Sequence, residues 1–216
     1  MQQQPPFYPI FASLNAVPRP SHHEGKVADF LCDYATRLGL DYSRDAHNCV
    51  VIRKPAAPGY EQSTPVVILN HMDMVCVAEE GHAFDPEHDP IKPVTYEAPS
   101  TDGKNPKALW MKADHTSLGA DNGMGLSMAL AILADKTLVH GPLEVITTTN
   151  EEDGMDGAAN LSPDFLKGRH VLNLDSEAYD EITVGAAGAF IQKARLPYGQ
   201  IRLPKDYIIY KDILDK

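Results

Sequence analysis

The chain has 216 residues and a formal net charge of −11. That length suffices for one good-sized domain with a real core. The composition is ordinary for a globular protein, and the acidity argues against nucleic acid or an anionic membrane surface as a partner.

The three cysteines, Cys32, Cys49 and Cys76, include no CxxC pair, so neither a disulfide framework nor a zinc knuckle is expected. The opening MQQQPPFYPIF lacks a basic stretch followed by an apolar core, and no apolar run approaches membrane-spanning length. A cytoplasmic location is the expectation.

In chain order, residues 1–9 read as a loose lead-in. Pro18 to Ser21 open a helix, with Ser21 and Glu24 fitting a capping box. Val27, Phe30, Leu31, Tyr34 and Leu38 fall at helical spacing, and Gly39 is a natural C-cap. His22 and His23 read as exposed polar residues near the cap. Asp45 to Asn48 is a turn signal and Cys49 to Arg53 a strand. Val66 to Leu69 is a β-branched run suited to a strand buried on both faces. Ala78 to Ser100, rich in Pro, Glu and His, reads as a mobile surface loop. Leu109 to Lys112 is a short strand candidate. Gly123 to Ala134 is apolar on nearly every face, which predicts a buried helix against a sheet. Leu143 to Thr149 is a strand, Ser162 and Pro163 open a short helix, and Val171 to Leu174 is another strand. Glu181 to Val184 and Gly188 to Arg195 are further strand candidates, and the tail from Leu196 carries no motif. Strands alternating with helices predict an α/β domain with a mostly parallel sheet flanked by helices.

Chemistry-bearing residues gather where these elements end. The Val66 strand runs into His71 and Asp73, the Leu143 strand into Glu151 and Glu152, and the Val171 strand into Asp175. Asp121 precedes the buried helix, where the helix dipole favours an anion. Open parallel sheets bind ligands just beyond the carboxyl ends of their strands. Each residue alone has a plainer explanation: a hydrogen-bonded core histidine, a turn-capping Asp175, a solvated Glu pair. Together they offer the parts of a two-metal hydrolytic clamp, with ions roughly 4 Å apart. Asp121 could bridge, His71 and Asp175 could complete one metal, and Glu152 could ligate the other. Glu151 would then be free as general base. Asp73 could orient His71 or a neighbouring group from behind.

HMDMV, LGADNGMG, TNEEDGMDGA and LNLDSE resemble, in order and spacing, the motifs of the M20 zinc metallopeptidases. The nearest branch in resemblance is the aminoacyl-histidine (Xaa-His) dipeptidases, with PRPSHH, IRKP and HGPL as further matches. The resemblance covers roughly residues 10–190. It implies that His71 and Asp175 ligate one zinc, Asp121 bridges, Glu152 binds the other zinc, Asp73 supports His71, and Glu151 is general base and acid. Manganese or cobalt would also suit such carboxylate-rich sites. The implied partner is a small dipeptide substrate, cleaved by a zinc-bound water.

Members of this branch are longer, on the order of two domains' worth of chain. The resemblance makes residues 1–187 the N-terminal part of the catalytic domain, and 188–216 the start of a lid and dimerisation region or a divergent tail. The region that would support a homodimer is thus largely absent. The last histidine is His170, so the second zinc lacks the final histidine ligand that the resemblance implies, with His115 the nearest spare imidazole. Weak or absent activity is expected of these residues alone. Two rival expectations stand beside the dipeptidase: another M20 activity (N-acyl amino acid deacylase or aminopeptidase), and a non-catalytic remnant of the fold.

Overall fold

A computed structural model describes residues 5–176 and 181–185. The chain divides into two units, Met1–Tyr179 and Asp180–Lys216. The described part of the second, residues 181–185, forms neither helix nor strand, so the strand expected at Glu181 to Val184 is not formed. The candidate strand at Gly188 to Arg195 and the boundary at 187/188 lie outside the described residues.

The first unit begins with helices α1 (Tyr8–Asn15) and α2 (Gly25–Leu38). The expected loose lead-in therefore ends two residues earlier than the composition suggested. In α2, Val27, Leu31 and Ala35 recur every fourth residue and are fully buried, with Ala28 beside them. Gly39 closes the helix at φ 69°, a left-handed conformation that costs glycine least. The expected capping box is not made. Glu24 occupies the N-cap with no side-chain cap bond, because both Ser21 and Glu24 are engaged elsewhere.

The main sheet holds β1 (Asp41–Arg44), β2 (Val50–Lys54), β3 (Val66–His71), β6 (Leu143–Thr148) and β7 (His170–Asn173), in the order β1–β2–β6–β3–β7. β3 is parallel to both β6 and β7, whereas β2 runs antiparallel to β6 and β1 antiparallel to β2. The α/β architecture stands, with the parallel part of the sheet confined to the three strands whose ends carry the acids and His71. A hairpin of β4 (Pro93–Ala98) and β5 (Ala108–Ala113) forms a separate two-stranded sheet. β4 lies inside the segment expected to be loop, and its leading proline sits where a strand tolerates a missing amide.

α3 (Ala120–Ala134) packs against α1 and β3, burying Leu126, Ala129, Leu130 and Leu133. Burial is one-sided, since Met128 is 38% exposed. These residues join Leu14, Val27, Leu31, Ile52, Ile68, Met72 and Val145 in one core between helices and sheet. A short α4 (Asp156–Ala159) and a 3-10 turn (Pro163–Phe165), opened by Ser162, lead into β7. No helix among the described residues is long and apolar enough to cross a membrane.

Candidate metal centre

Register brings the site together. Val66 pairs with Leu143 and His71 with Thr148, so the turn after β6 begins level with the end of β3. On the other side Leu69 pairs with Asn173, which sets Asp175 level with His71. The start of α3 supplies Asp121. Its backbone is non-helical there (φ −82°, ψ 118°), and this turns it out of the helix proper.

His71 is 2% exposed. Its Nδ1 donates to the backbone carbonyl of Asp73 at 3.1 Å, which leaves Nε2 facing the acids. Asp121 Oδ1 lies 2.9 Å from Nε2, Asp175 Oδ1 3.8 Å and Glu151 Oε2 3.9 Å. Two overlapping donor sets result, His71–Asp121–Glu152 and His71–Glu151–Asp175, each with its ligand atoms within 4.8 Å of one another. The four expected donors and the expected base are thus in one place, with Asp73 standing behind them. Both Glu151 and Asp175 are within ligand reach of an ion at His71. His115 is elsewhere: it pairs with Glu79 at 2.6 Å and with Asp114 at 3.5 Å.

Asp73 is fully buried and organises the acidic turn. One of its oxygens accepts the amide of Glu151 at 3.1 Å. The other accepts the amide of Glu152 at 3.2 Å and the Ser21 hydroxyl at 2.8 Å. Burial alone would favour its neutral form. The hydrogen bonds with His71, with both amides and with Ser21 outweigh that and hold its carboxyl down at about 2. Burial likewise opposes a charged His71, but its bonds to Asp73 and Asp121 and the surrounding negative charge raise it to about 9. Glu152 is pushed up by burial and then by Asp121, and Asp175 by burial and then by Asp121 and Glu151. Oxygen donors crowded until they repel, around one neutralisable imidazole nitrogen, are the chemistry that a divalent cation relieves. The residues present therefore fit a metal. Beside them lies a cleft of about 210 Å³, lined by Asn70, His71, Thr149, Glu151, Met155 and Asp175 among others.

Sequence reasoning missed three supports. Ser21 and Glu24, expected to cap α2, instead serve the site: Ser21 binds Asp73, and Glu24 accepts the amide of Asn150 at 2.8 Å. Arg19 is 1% exposed and reaches carbonyls on both sides of the centre. Burial pulls its guanidinium down to about 10, so it stays charged at neutral pH. The only sequence signal for these roles was a charged and polar cluster packed closely before an amphipathic helix.

Comparison with known proteins finds peptidases among the similar chains. The chain is 39% identical over 206 residues to the cytosol non-specific dipeptidase of Escherichia coli, covering 95% of this chain and 40% of that protein. The chain is a homologue of part of that dipeptidase. Among solved structures, the aminoacylhistidine dipeptidase from Vibrio alginolyticus superposes on 80% of this homologue with TM-score 0.70 and 42% identity, over 33% of its own length. A tripeptidase from Staphylococcus aureus shares the fold at TM-score 0.61 and 22% identity, over 80% of this chain and 43% of its own. No protein-family model matches. The homologue spans about two fifths of the length of the curated relatives it matches.

Proposed function

We propose that this chain carries most of the active site of a two-metal dipeptidase that hydrolyses Xaa-His dipeptides. The observation that carries the reading is the convergence of four carboxylates, Asp121, Glu151, Glu152 and Asp175, on the Nε2 face of His71. The similarity to a cytosolic dipeptidase and to an aminoacylhistidine dipeptidase supports the substrate class and a cytoplasmic setting.

In this reading His71 and Asp175 would hold one ion and Glu152 the other, with Asp121 available to both. Zinc is the first candidate on the donor types. Bound divalent ions would polarise the scissile carbonyl and make water acidic enough to lose a proton near neutral pH. The protein's own part is positional. Asp73 fixes the His71 ring through its backbone carbonyl and fixes the Glu151–Glu152 turn through its carboxylate. Glu151, 27% exposed and lining the cleft, would take the proton of the attacking water on a carboxylate oxygen and return it to the leaving amine. Among the described residues His71 is the only imidazole in either donor set, so slow or absent turnover is expected from this chain by itself.

The test is zinc content and hydrolysis of a set of Xaa-His dipeptides by the purified 216-residue chain, with Glu151→Gln alongside. Zinc bound by both proteins, with any hydrolysis lost in the variant, is the expected result. A folded chain that binds no divalent ion overturns the metal reading. Equal turnover by wild type and variant removes Glu151 as the base. Zinc binding without turnover assigns the activity to a longer protein.

A further inference from the structure

The site as read above needs two separate segments held at a fixed distance: the β3 end with His71 and Asp73, and the start of α3 with Asp121. One buried side chain spans them. Arg19 Nη1 donates to the carbonyl oxygens of Met72 at 3.1 Å and Asp73 at 3.2 Å, and Nη2 donates to the carbonyl of Gly119 at 2.6 Å. The backbone reinforces the first contact, with the Met74 amide donating to the Arg19 carbonyl at 3.1 Å. Nε has no partner among the described residues, so the hydrogen bonds are made wholly by the two ends of the fork.

The chain around the guanidinium is cut to admit it. A Cβ on Gly119 would collide with Arg19 Nη2 and the Met74 side chain, and one on Gly123 would come within 2.5 Å of Nη2. Gly119 also sits at φ 68°, where a side chain is strained in any case. Gly123 carries no such strain and stands in a helix, where alanine is ordinarily the better residue. Packing against Arg19, together with Phe11 Cε2 at 3.0 Å, is what the structure sets against a side chain there.

We propose that Arg19 is a positioning residue for the metal centre, its fork setting the separation between the His71–Asp73 strand end and the Asp121 helix start. The inference rests on the reading of this cluster as a metal site. A planar fork fixes two directions at once, whereas a lysine ammonium is a single charged point on a flexible stem. Loss of the fork therefore lets the two halves of the donor set drift apart even where charge is kept.

Calorimetric titration of the metal-free 216-residue chain with zinc tests this, across wild type, Arg19→Lys, Arg19→Met, Gly123→Ala and the Gly123→Ala/Arg19→Met double variant, each checked for folding by circular dichroism. Both Arg19 variants are expected to bind zinc about 10–100-fold more weakly, the range seen when groups supporting metal ligands are removed. Gly123→Ala should weaken binding on its own and add nothing in the Arg19→Met background. Unchanged zinc affinity in the folded Arg19 variants overturns the proposal. So does wild-type affinity in Arg19→Lys with loss only in Arg19→Met, which would assign the effect to charge. If the Arg19 variants do not fold, Gly123→Ala decides: weaker binding supports the proposal and unchanged binding overturns it. Wild type that binds no zinc removes the metal reading itself, a failure visible before any substitution is made.

Discussion

β6 and β7 flank β3 on opposite sides, run parallel to it, and each leads into an acid of the site. All six residues of β6 are buried, and all four of β7 are exposed. Their sequences do not explain this, since Leu143 to Ile146 and His170 to Asn173 are both apolar-rich and both precede carboxylates. Neighbours do. β6 has β2 on its far side, whereas among the described residues nothing pairs with the far side of β7. The acids inherit the difference. The turn bearing Glu151 and Glu152 is tied down by Asp73 and, through Asn150, by Glu24. Among the described residues the amide of Asp175 has only the Asn173 side chain, at 3.2 Å. One side of the centre is built into the core, and the other hangs from an edge.

Breaking the anchored side should have the largest effect. Asp73→Ala leaves His71 and three donors facing an empty buried position, and a loss of about 3–5 kcal/mol is expected, as when one partner of a buried ion pair is removed. Urea unfolding measures it, and a loss within experimental error would show that the turn holds itself. Next, Ile146→Ala in β6 should cost about 2–5 kcal/mol for a cavity in a closed core. Leu172→Ala in β7, at a side chain 58% exposed, should stay within about 0.5 kcal/mol. Equal denaturation midpoints for these two variants would erase the contrast between the strands. Ser21→Ala sharpens the picture further. It removes one of several bonds to Asp73, and about 1–3 kcal/mol is expected, less than for loss of the carboxylate itself.

The smallest effect lies away from both strands. The hydrogen bond to Glu79, then its charge and that of Asp114, raise the pKa of the exposed His115. Because the folded value is the higher one, its contribution to stability is full below the unfolded pKa and disappears as pH rises through the folded one. A titration of the His115 ring by NMR should therefore shift downward in Glu79→Gln. An unshifted curve would mean the pair does not form in solution.

The site was legible because its acids sit where an apolar run stops or, for Asp121, where one begins, and the end of an element is a place that sequence can mark. Register then did the rest, carrying His71, Glu151 and Asp175 to one level. What the sequence hid is long-range use of local-looking residues. Ser21 and Glu24 have the spacing of a cap, and nothing nearby in sequence reveals that their partners are Asp73 and Asn150. Arg19 is hidden for the same reason, since a buried guanidinium is recognised by the carbonyls it finds, here on residues 72, 73 and 119. β4 was lost in a stretch whose prolines, acids and histidines read as loop, because its hairpin partner lies beyond it. The antiparallel β1 and β2 follow from connection geometry that hydrophobic pattern does not encode.

The two successive amides received by Asp73 have a further meaning. By pinning neighbouring residues to the two oxygens of one carboxylate, the turn sends adjacent side chains to different donor sets, Glu152 to one and Glu151 to the other. It works as a reading frame. Adding a single residue after Asn150 would move Glu151 into the place of Glu152 and carry Glu152 out of reach, leaving composition nearly unchanged while putting the inserted residue where the proposed base stands. Zinc titration of such an insertion, compared with Glu151→Gln, would show whether the turn counts in steps of one.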